Sequence, residues 1–330
     1  MEGKFMHAIQ YDSYGGGTAA LKHVEVSIPS PGKGEVLLKL EATSINPIDW
    51  KIQKGMLRLL RLPSKFPFIP CTDVAGDVVE IGQEVKNFKP GDKVVAILSH
   101  VMGGGLAEYC VTKENLTVHR PAQVSAADAA GLPVAGLTAL MSLTQSAMLK
   151  LDLSEPRKNI LITAASGGVG HYAVQLAKLG NLHVSATCGA RNLDFVKGLG
   201  ADEVLDYNTP EGGDLRSPSG KKYDVVIHCA RAYPWSVFER NLSESGKVVD
   251  ITPGLGAIWT SIVNKLTFSK KKLVPMFLIP KGEDLAKLVR MVQEGKLKTV
   301  IDSKYHLSEG KDAWAKSMDG HATGKIIVEP

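Results

Sequence analysis

The sequence has few cysteines, and they stand far apart. Its 330 residues include four of them, Cys71, Cys110, Cys188 and Cys229, and no two form a C-x-x-C pair. This spacing argues against a disulfide framework and against a structural zinc site, because both need cysteines grouped in sets. We therefore expect the chain to work in a reducing compartment.

Long apolar runs and a strong excess of one charge are also absent. No window offers the roughly 20 uninterrupted apolar residues of a membrane span, which argues against an integral membrane protein. The 39 basic and 34 acidic residues leave a net charge of +5, and the basic residues are not gathered with aromatics into a stripe, so no nucleic-acid partner is predicted. The run Lys270-Lys271-Lys272 favours a solvated surface, with a weak peripheral contact to an anionic membrane as the alternative.

The first 125 residues have the pattern of a compact β-rich domain. Short β-like runs such as EVLLKLEATSI and DKVVAIL are separated by turn signals, among them Pro90-Gly91-Asp92. The opening residues MEGKFMHAIQYD enter this pattern almost at once, so no cleavable targeting sequence is expected. The tail segments GKLKTVIDSKYHL and GKIIVEP resemble this domain again.

After Ser125 the pattern changes to alternating strands and helices. The predicted strands are 159–164, 183–188, 203–207, 224–229 and 247–251, and the predicted helices are 169–179, 192–199, 235–241 and 258–267. Strands with continuous apolar runs are typical of a parallel sheet buried on both faces. The sequence therefore predicts an α/β fold, with a doubly wound Rossmann domain at 126–275 and a discontinuous β-rich domain at 1–125 and 276–330.

The run TAASGGVG, residues 163–170, lies between the first of these strands and an amphipathic helix. Ala165, Gly167 and Gly170 occupy the positions of a G-x-G-x-x-G motif, with alanine in place of the first glycine. Such a turn brings backbone amides and a helix N-terminus to the pyrophosphate of a dinucleotide. The alternative is a small-residue turn that is needed only for helix packing. The residues expected to bind the cofactor here are Ser166, Gly167, Gly168 and Val169.

The end of the next strand indicates which dinucleotide is bound. An NAD-specific site places an acidic residue about 20 residues after the glycine motif, whereas this chain has Cys188-Gly189-Ala190-Arg191 there. We predict that Cys188, Gly189 and Arg191 bind NADPH, because a guanidinium can pair with its 2′-phosphate. The alternative for Arg191 is a surface charge at the start of a helix.

Six short motifs, spread along the whole chain, together indicate a resemblance to a known family. They are Asn46-Pro47-Ile48-Asp49-Trp50-Lys51, Ile69–Gly76, Lys89–Val94, Gly136–Ala139, the AASGGVG turn and Gly324–Val328. Together they resemble the zinc-independent, quinone oxidoreductase-like branch of the medium-chain dehydrogenase/reductase superfamily, most strongly its members from the plant chloroplast envelope. The resemblance implies a GroES-like catalytic domain, oxidoreductase activity and a chloroplast location, envelope-associated or stromal; a cytoplasmic location is the alternative.

The resemblance also implies that no metal is used. Zinc-dependent relatives carry a cysteine near the position of Asn46 and a His-Glu pair at the position of Thr72-Asp73, and both replacements remove zinc ligands. Asn46 and Lys51 are then the implied catalytic residues, with Lys51 holding an enolate oxygen or relaying a proton. The alternative is that Lys51 is a surface lysine. Asp49 is predicted to cap a helix.

Further cofactor-binding residues are expected where strands end, because ligands bind at the carboxyl ends of strands in open α/β sheets. The strand-end residues are Tyr207, Cys229, Ala230 and Thr252. The resemblance adds Thr138, at the start of a helix. Phe277 is an apolar residue at the predicted domain junction that is also expected to contact the cofactor. His228 is interpreted as a strand-end histidine, with a proton donor as the alternative.

The predicted activity is NADPH-dependent reduction of an activated carbon–carbon double bond. The expected substrate is a hydrophobic small molecule: an α,β-unsaturated ketone, a γ-ketol-like lipid or a plant specialised metabolite. Hydride reaches such an electrophilic carbon without a metal, provided the protein stabilises the charge that develops on the carbonyl oxygen. The alternatives are quinone reduction and nucleotide binding with little catalysis. The chain is expected to be a monomer or a homodimer.

Overall fold

The computed structural model describes residues 4–152, 154, 156–230 and 233–330. They form two compact units, one of residues up to Leu137 together with Pro280–Pro330, the other Thr138–Ile279. Among these residues, no helix has the length and apolar character needed to cross a membrane.

The chain as far as Leu137 consists mainly of strands joined by short helices. The strands are β1 (Phe5–Gln10), β2 (Lys22–Ser27), β3 (Glu35–Ile45), β4 (Asp73–Ile81), β5 (Lys93–Ile97), β6 (Tyr109–Lys113) and β7 (Thr117–His119). The helices are α1 (Pro47–Gln53), α2 (Ala126–Ala130) and α3 (Pro133–Met141), the last of which continues into the second unit.

The second unit alternates strands with helices. The strands are β8 (Asn159–Ile162), β9 (His183–Cys188), β10 (Glu203–Asp206), β11 (Tyr223–His228), β12 (Leu242–Asp250) and β13 (Lys272–Pro275). The helices are α4 (Gly170–Leu179), α5 (Leu193–Gly198), α6 (Pro210–Gly213), α7 (Trp235–Glu239) and α8 (Leu255–Leu266). The tail contains α9 (Gly282–Gln293), β14 (Ile301–His306), α10 (Gly310–Asp319) and β15 (Lys325–Glu329).

The sheet of the second unit is parallel throughout and has the order β10-β9-β8-β11-β12-β13. The order reverses between β8 and β11, which is the arrangement of a doubly wound Rossmann fold. Ile160, Leu161 and Ile162 of the central strand β8 are fully buried, as their continuous apolar run predicts. The predicted fold class is confirmed.

The β-rich unit contains a seven-stranded sheet and a separate β1-β2 pair. The larger sheet has the order β14-β15-β3-β4-β5-β7, and β6 also pairs with β3. β3 is buried along most of its length, because Val36, Leu37 and Leu38 are fully buried in the core. The tail strand β15 pairs antiparallel with β3, which joins the last segment of the chain to the first.

The division between the units lies slightly later than the predicted boundaries after residues 125 and 275. The first unit extends to Leu137 because α2 packs on β3 and β4, with Ala127, Ala129 and Ala130 buried. The second unit extends to Ile279, and the Met276 backbone N–H donates to the Asp250 carbonyl oxygen at 2.9 Å. Residues 126–137, which the sequence assigns to the Rossmann domain, therefore belong to the β-rich unit.

Candidate active site and cofactor-binding residues

The candidate active site begins where β3 ends and α1 starts. Asn46 has extended backbone angles and Pro47 is the first helical residue, a position where its missing N–H costs nothing. The Asp49 carboxylate accepts a hydrogen bond from the Asn46 backbone N–H at 2.7 Å. The predicted capping role of Asp49 is confirmed. This cap fixes the start of α1, and the last turn of the same short helix carries Lys51 as a half-buried side chain.

The Asn46 side chain belongs to a buried polar cluster with Asp73 and Lys325. Asn46 Nδ2 donates to Asp73 Oδ2 at 2.8 Å, and Lys325 Nζ donates to Asn46 Oδ1 at 2.5 Å. Lys325 Nζ also lies 3.7 Å from Asp73 Oδ2, and these two side chains are 2% and 0% exposed. Both polar ends of the Asn46 amide are thus engaged, so the cluster fixes its orientation. The predicted catalytic role of Asn46 stays a prediction.

The Asn46–Asp73–Lys325 cluster also ties separate elements together. Asp73 is the first residue of β4, and Lys325 is the first of β15. The second carboxylate oxygen of Asp73 accepts from the Val134 backbone N–H at 3.0 Å, at the start of α3. One carboxylate therefore anchors the N-termini of α1, which carries Lys51, and of α3, which carries Thr138.

Burial dominates the electrostatics of this region. It raises the pKa of Asp49 to about 7, against the hydrogen bond from the Asn46 backbone. It raises the pKa of Asp73 to about 6, against the attraction of Lys325 and the Asn46 hydrogen bond. Burial also lowers the pKa of Lys325, although Asp73 and Asp49 oppose that shift. Because Asp73 has the closer cation and more donors, we assign it as the ionised partner of the ammonium.

The raised pKa of Asp49 predicts that stability falls as pH rises. Between the unfolded value of 3.8 and the folded value of about 7, the folded state binds more protons than the unfolded state. Asp49 therefore costs stability progressively through this window, on the order of 2 to 3 kcal/mol between about pH 5 and pH 8. In Asp49→Asn, which keeps an oxygen acceptor for the Asn46 N–H, the fall in the free energy of unfolding between pH 5 and pH 8, measured by urea unfolding, should be smaller by this amount.

Asp77→Asn is the control for this experiment, because it removes a carboxylate that is 40% exposed, on strand β4. If wild type and Asp49→Asn give parallel stability curves from pH 5 to pH 8, Asp49 titrates alike in the folded and unfolded states, contrary to this assignment.

The turn between β8 and α4 has the geometry that a dinucleotide requires. A Cβ atom added to Gly170 would lie 2.3 Å from the Ala164 carbonyl oxygen and 2.6 Å from the Ala165 Cα, so only glycine allows α4 to pack this close. Ala164 has a left-handed φ of 50° and Ala165 is fully buried, which leaves residues 166–169 half-buried ahead of the helix. α4 is ten residues long, so its N-terminus provides the positive dipole end. These residues fit the pyrophosphate of a nicotinamide dinucleotide.

Most of the predicted cofactor-binding residues lie at one edge of the Rossmann sheet. Because all six strands are parallel, their carboxyl ends meet at that edge. The residues placed there are Ser166, Gly167, Gly168, Val169, Cys188, Gly189, Arg191, Tyr207, Cys229, Ala230, Thr252 and Phe277. Thr138 instead lies within α3 and is 7% exposed.

The side chains at this edge differ in accessibility. Arg191 and Tyr207 are exposed, whereas Cys188 is 1% exposed, so its thiol faces the interior. A Cβ added to Gly189 would lie 3.0 Å from the Tyr207 hydroxyl oxygen, which shows how closely these two residues pack. The Cys229 backbone N–H donates to Thr163 Oγ1 at 2.9 Å, which links the ends of β8 and β11.

His228 is buried at the end of β11, as its interpretation as a strand-end residue predicts. Its Nδ1 lies 3.0 Å from Thr163 Oγ1, and its ring packs edge-on against Phe238 and Tyr233. These contacts give it a structural role in the α/β unit.

The positions where zinc-dependent relatives carry ligands have a different chemistry in this chain. Within the described ranges, no group of three or more His, Cys, Asp or Glu side chains could hold a metal ion. Asn46 and Asp73 instead surround the ammonium of Lys325, and a buried cation repels a second one. The residues therefore do not fit a divalent metal at this place.

Asp73 and Lys325 lie within two of the motifs quoted above, Ile69–Gly76 and Gly324–Val328, but neither is among the predicted site residues. Both flank apolar runs, DVAGDVV and GKIIV, and both are fully or almost fully buried. A charged residue at the first position of a buried strand is the available signal, since buried charges need partners. The sequence alone does not show that Asp73 and Lys325 pair with each other.

Comparisons with known proteins agree with this architecture. A family model described as an alcohol dehydrogenase GroES-like domain matches residues 32–122, and one described as a zinc-binding dehydrogenase matches residues 199–328. The chain is 70% identical to the chloroplast envelope quinone oxidoreductase homolog of Arabidopsis thaliana, over all of both chains.

Two more distant proteins extend the comparison. The NADPH-dependent alkenal/one oxidoreductase of Arabidopsis thaliana, a chloroplastic protein, is 32% identical over 99% of this chain and 80% of its own length. The quinone oxidoreductase structure from Coxiella burnetii superimposes with a TM-score of 0.88 at 31% identity, covering 99% of this chain and all of the other.

Proposed function

Because the chain belongs to the medium-chain dehydrogenase/reductase superfamily, in its quinone oxidoreductase-like branch, we propose that it is an NADPH-dependent reductase of activated carbon–carbon double bonds. That it is an oxidoreductase with a nicotinamide cofactor follows from the family. The expected chloroplast location agrees with the names of both plant relatives. What we propose beyond the family is the preference for NADPH over NADH, the class of substrate and the residues that act on the substrate.

The observation that carries the proposal is the buried ammonium of Lys325 between Asn46 and Asp73. With an ammonium group instead of a metal ion at this place, the cluster offers no Lewis acid to polarise an alcohol or a saturated ketone, which favours an acceptor that is electrophilic already. Enones, γ-ketol-like lipids and quinones meet this condition. The relative named as an alkenal/one oxidoreductase supports the enone class.

Each predicted active-site residue has a stated part in this reaction. A bound nicotinamide would supply a hydride to the β-carbon of an enone. Negative charge then collects on the carbonyl oxygen, where the Lys51 ammonium would stabilise it or deliver a proton. Asn46, held by Asp73 and Lys325, positions the first turn of α1 and therefore Lys51. Thr138 and the residues at the sheet edge would hold the cofactor.

The preference for NADPH is proposed from Arg191. This exposed side chain follows β9, which ends in Cys188 and not in the acidic residue of an NAD-specific site; Asp206 lies opposite Cys188 on the neighbouring strand β10. A charge-assisted hydrogen bond contributes about 1.5–3 kcal/mol, so kcat/KM for NADPH should fall roughly 10-fold to 150-fold in Arg191→Ala while kcat/KM for NADH changes little. The measurement is the ratio of the two constants with one enone.

Lys197→Ala is the control for the loss of an exposed positive charge, since Lys197 lies in the next helix, α5. An unchanged NADPH to NADH ratio in Arg191→Ala would assign the phosphate contact to another residue.

The proposed reaction is tested with matched substrates. NADPH oxidation is followed by its near-ultraviolet absorbance with an enone, the corresponding saturated ketone, a γ-ketol and a quinone, each with and without a metal chelator. The expected result is turnover of the enone or ketol but not of the saturated ketone, unaffected by chelation. With deuterated NADPH, mass spectrometry should find the label on the β-carbon of a product that keeps its carbonyl group.

Quinone reduction is the second candidate, and the name of the relative at 70% identity favours it. Turnover of the quinone alone would establish that function and remove the proposal of double-bond reduction. Turnover of the saturated ketone that is lost on chelation would contradict both.

A further inference from the structure

Helix α1 is too short to hold its position by its own hydrogen bonds. It spans seven residues, Pro47–Gln53, and isolated helices shorter than about 12–15 residues are marginal in water. Its placement therefore depends on contacts with the rest of the β-rich unit. The N-terminal end is fixed by the buried cluster that contains Asn46, whereas Lys51 lies in the last turn, at the other end. The contacts at that other end determine how firmly Lys51 is placed.

Gln53 is the last residue of α1 and uses both ends of its side-chain amide. The residue is fully buried. Its Nε2 donates to the Gly17 carbonyl oxygen at 2.8 Å, and its Oε1 accepts from the Trp314 indole N–H at 3.2 Å. Its backbone carbonyl oxygen also accepts from the Gly15 N–H at 2.7 Å. These three hydrogen bonds hold the end of α1.

The partners of Gln53 come from segments that are distant from each other in the sequence. Gly15 and Gly17 belong to a loop of three consecutive glycines, whose φ angles of 88°, 73° and 55° are left-handed and unfavourable for other residues. Trp314 is fully buried on α10, which packs on α1 and on the turn that begins at Gly17. The end of α1 is therefore bound both to the beginning and to the tail of the chain.

An apolar side chain of similar size cannot replace this amide. In Gln53→Met the Trp314 indole N–H would lose its acceptor in the core, and the Gly17 carbonyl oxygen would lose this donor. A buried polar group without a partner is unfavourable, so both groups would move until they meet water or another partner. Because both pack against the end of α1, their movement would shift the last turn of the helix, which carries Lys51.

We propose that Gln53 is a positioning residue for the reduction, and that it acts by holding Lys51 where negative charge develops on the substrate oxygen. Because it acts through Lys51, this role rests on the proposed function. A misplacement of about 1 Å lowers a rate by up to about 100-fold, so a small shift of the last turn of α1 is enough to affect catalysis. The buried amide thereby acquires a part in the reaction without touching substrate or cofactor.

The test is a double-mutant cycle of Gln53→Met and Lys51→Ala, with NADPH and an enone as substrates. In the wild-type background Gln53→Met should lower kcat roughly 10-fold to 100-fold and leave the KM for NADPH nearly unchanged. In the Lys51→Ala background the same substitution should change kcat by less than about twofold, because the group that it displaces is already gone. A purely structural role would cost the same factor in both backgrounds.

Thr117→Val is the matched control, because it removes another buried side-chain hydrogen bond of the β-rich unit, from Thr117 Oγ1 to the Lys113 carbonyl oxygen at 2.8 Å. It should lower the midpoint of thermal unfolding but keep the wild-type kcat. Hydrogen exchange measured by mass spectrometry gives a readout besides activity. Gln53→Met should speed exchange in the peptide that contains α1 and not in those of the Rossmann sheet, whereas Thr117→Val should leave exchange in α1 unchanged.

Gln53→Glu tests the hydrogen bonds themselves and serves also if the methionine variant folds poorly. A protonated glutamic acid can donate to the Gly17 carbonyl oxygen and accept from the Trp314 indole, as the amide does, whereas a carboxylate repels that carbonyl oxygen. Because burial raises the pKa of a carboxyl group, the ratio of kcat in Gln53→Glu to kcat in the wild type should rise between about pH 8 and about pH 5.5. The ratio for Gln53→Met should not depend on pH.

Two results would overturn the role of Gln53 and leave the proposed function intact. One is a loss of kcat in Gln53→Met by the same factor in both backgrounds; the other is unchanged hydrogen exchange in α1. Full activity in Lys51→Ala, or a wild type that does not turn over the enone, would instead contradict the proposed function, and the role of Gln53 in catalysis would fall with it.

Discussion

Replacing Lys325 with methionine is expected to lower the free energy of unfolding by about 3–5 kcal/mol, because it leaves a buried carboxylate without its cation. Asp73 is fully buried, and its Oδ2 lies 3.7 Å from the Lys325 ammonium. In the variant, Asn46 also loses the donor to its Oδ1. Urea unfolding at neutral pH measures the loss. The loss should be smaller near pH 5, since Asp73 without its cation takes up a proton more readily.

Two variants give this prediction its controls. Lys304→Met removes an ion pair between Lys304 on β14 and Glu329, whose side chains are 50% and 43% exposed, and should cost less than about 1 kcal/mol. Lys325→Met combined with Asp73→Asn should recover most of the lost stability, because no uncompensated charge remains. A loss in Lys325→Met no larger than in Lys304→Met would mean that the buried pair is not ionised.

The second large effect is expected for catalysis, in Lys51→Ala. Loss of a group that stabilises an oxyanion lowers kcat by about 100-fold to 1,000-fold, while the KM for NADPH should hardly change. Lys51→Arg separates the two possible roles. Arginine keeps the charge but does not give up its proton, so it should restore activity if Lys51 stabilises charge and fail if Lys51 relays a proton.

Lys54→Ala is the matched control for Lys51, because both ammonium groups lie near the Trp50 ring, at 5.8 Å for Lys51 and 4.9 Å for Lys54. It should retain activity. Equal losses in the two variants would indicate a general effect of positive charge near α1 and would remove the specific role of Lys51.

The fold could largely be predicted from the sequence because its signals are local. The strand over residues 35–45 matches β3 residue for residue, since an apolar run there is bounded by turn residues. β13 is not predicted, because the lysine run that precedes and begins it has the polarity of a solvated surface. The similarity of the tail to the first domain likewise does not reveal α9, which precedes β14, or α10, which lies between β14 and β15.

The cofactor turn could be predicted from the sequence, whereas the buried cluster could not, because only the turn is local. The TAASGGVG turn is contiguous, so its chemistry is visible in eight residues, and Gly170 lies where close packing requires it. The cluster joins Asn46 to Lys325 across 279 positions. No local pattern specifies that contact, and only the pairing of β15 with β3 brings it about. The motif at Asn46 indicates a site, whereas its cation has to be found in three dimensions.

The order in which the cluster's members are made has a consequence for biosynthesis. Asn46, Asp49 and Asp73 all precede the α/β unit, and Lys325 follows it. A nascent chain that has just completed Ile279 on the ribosome therefore carries the Asp73 carboxylate without its ammonium partner. Burying that carboxylate at this stage is unfavourable, so the β-rich unit finishes its core only after the α/β unit has been translated and can fold. The first segment to be synthesised is thus among the last to complete its core, and until then part of its apolar surface stays exposed.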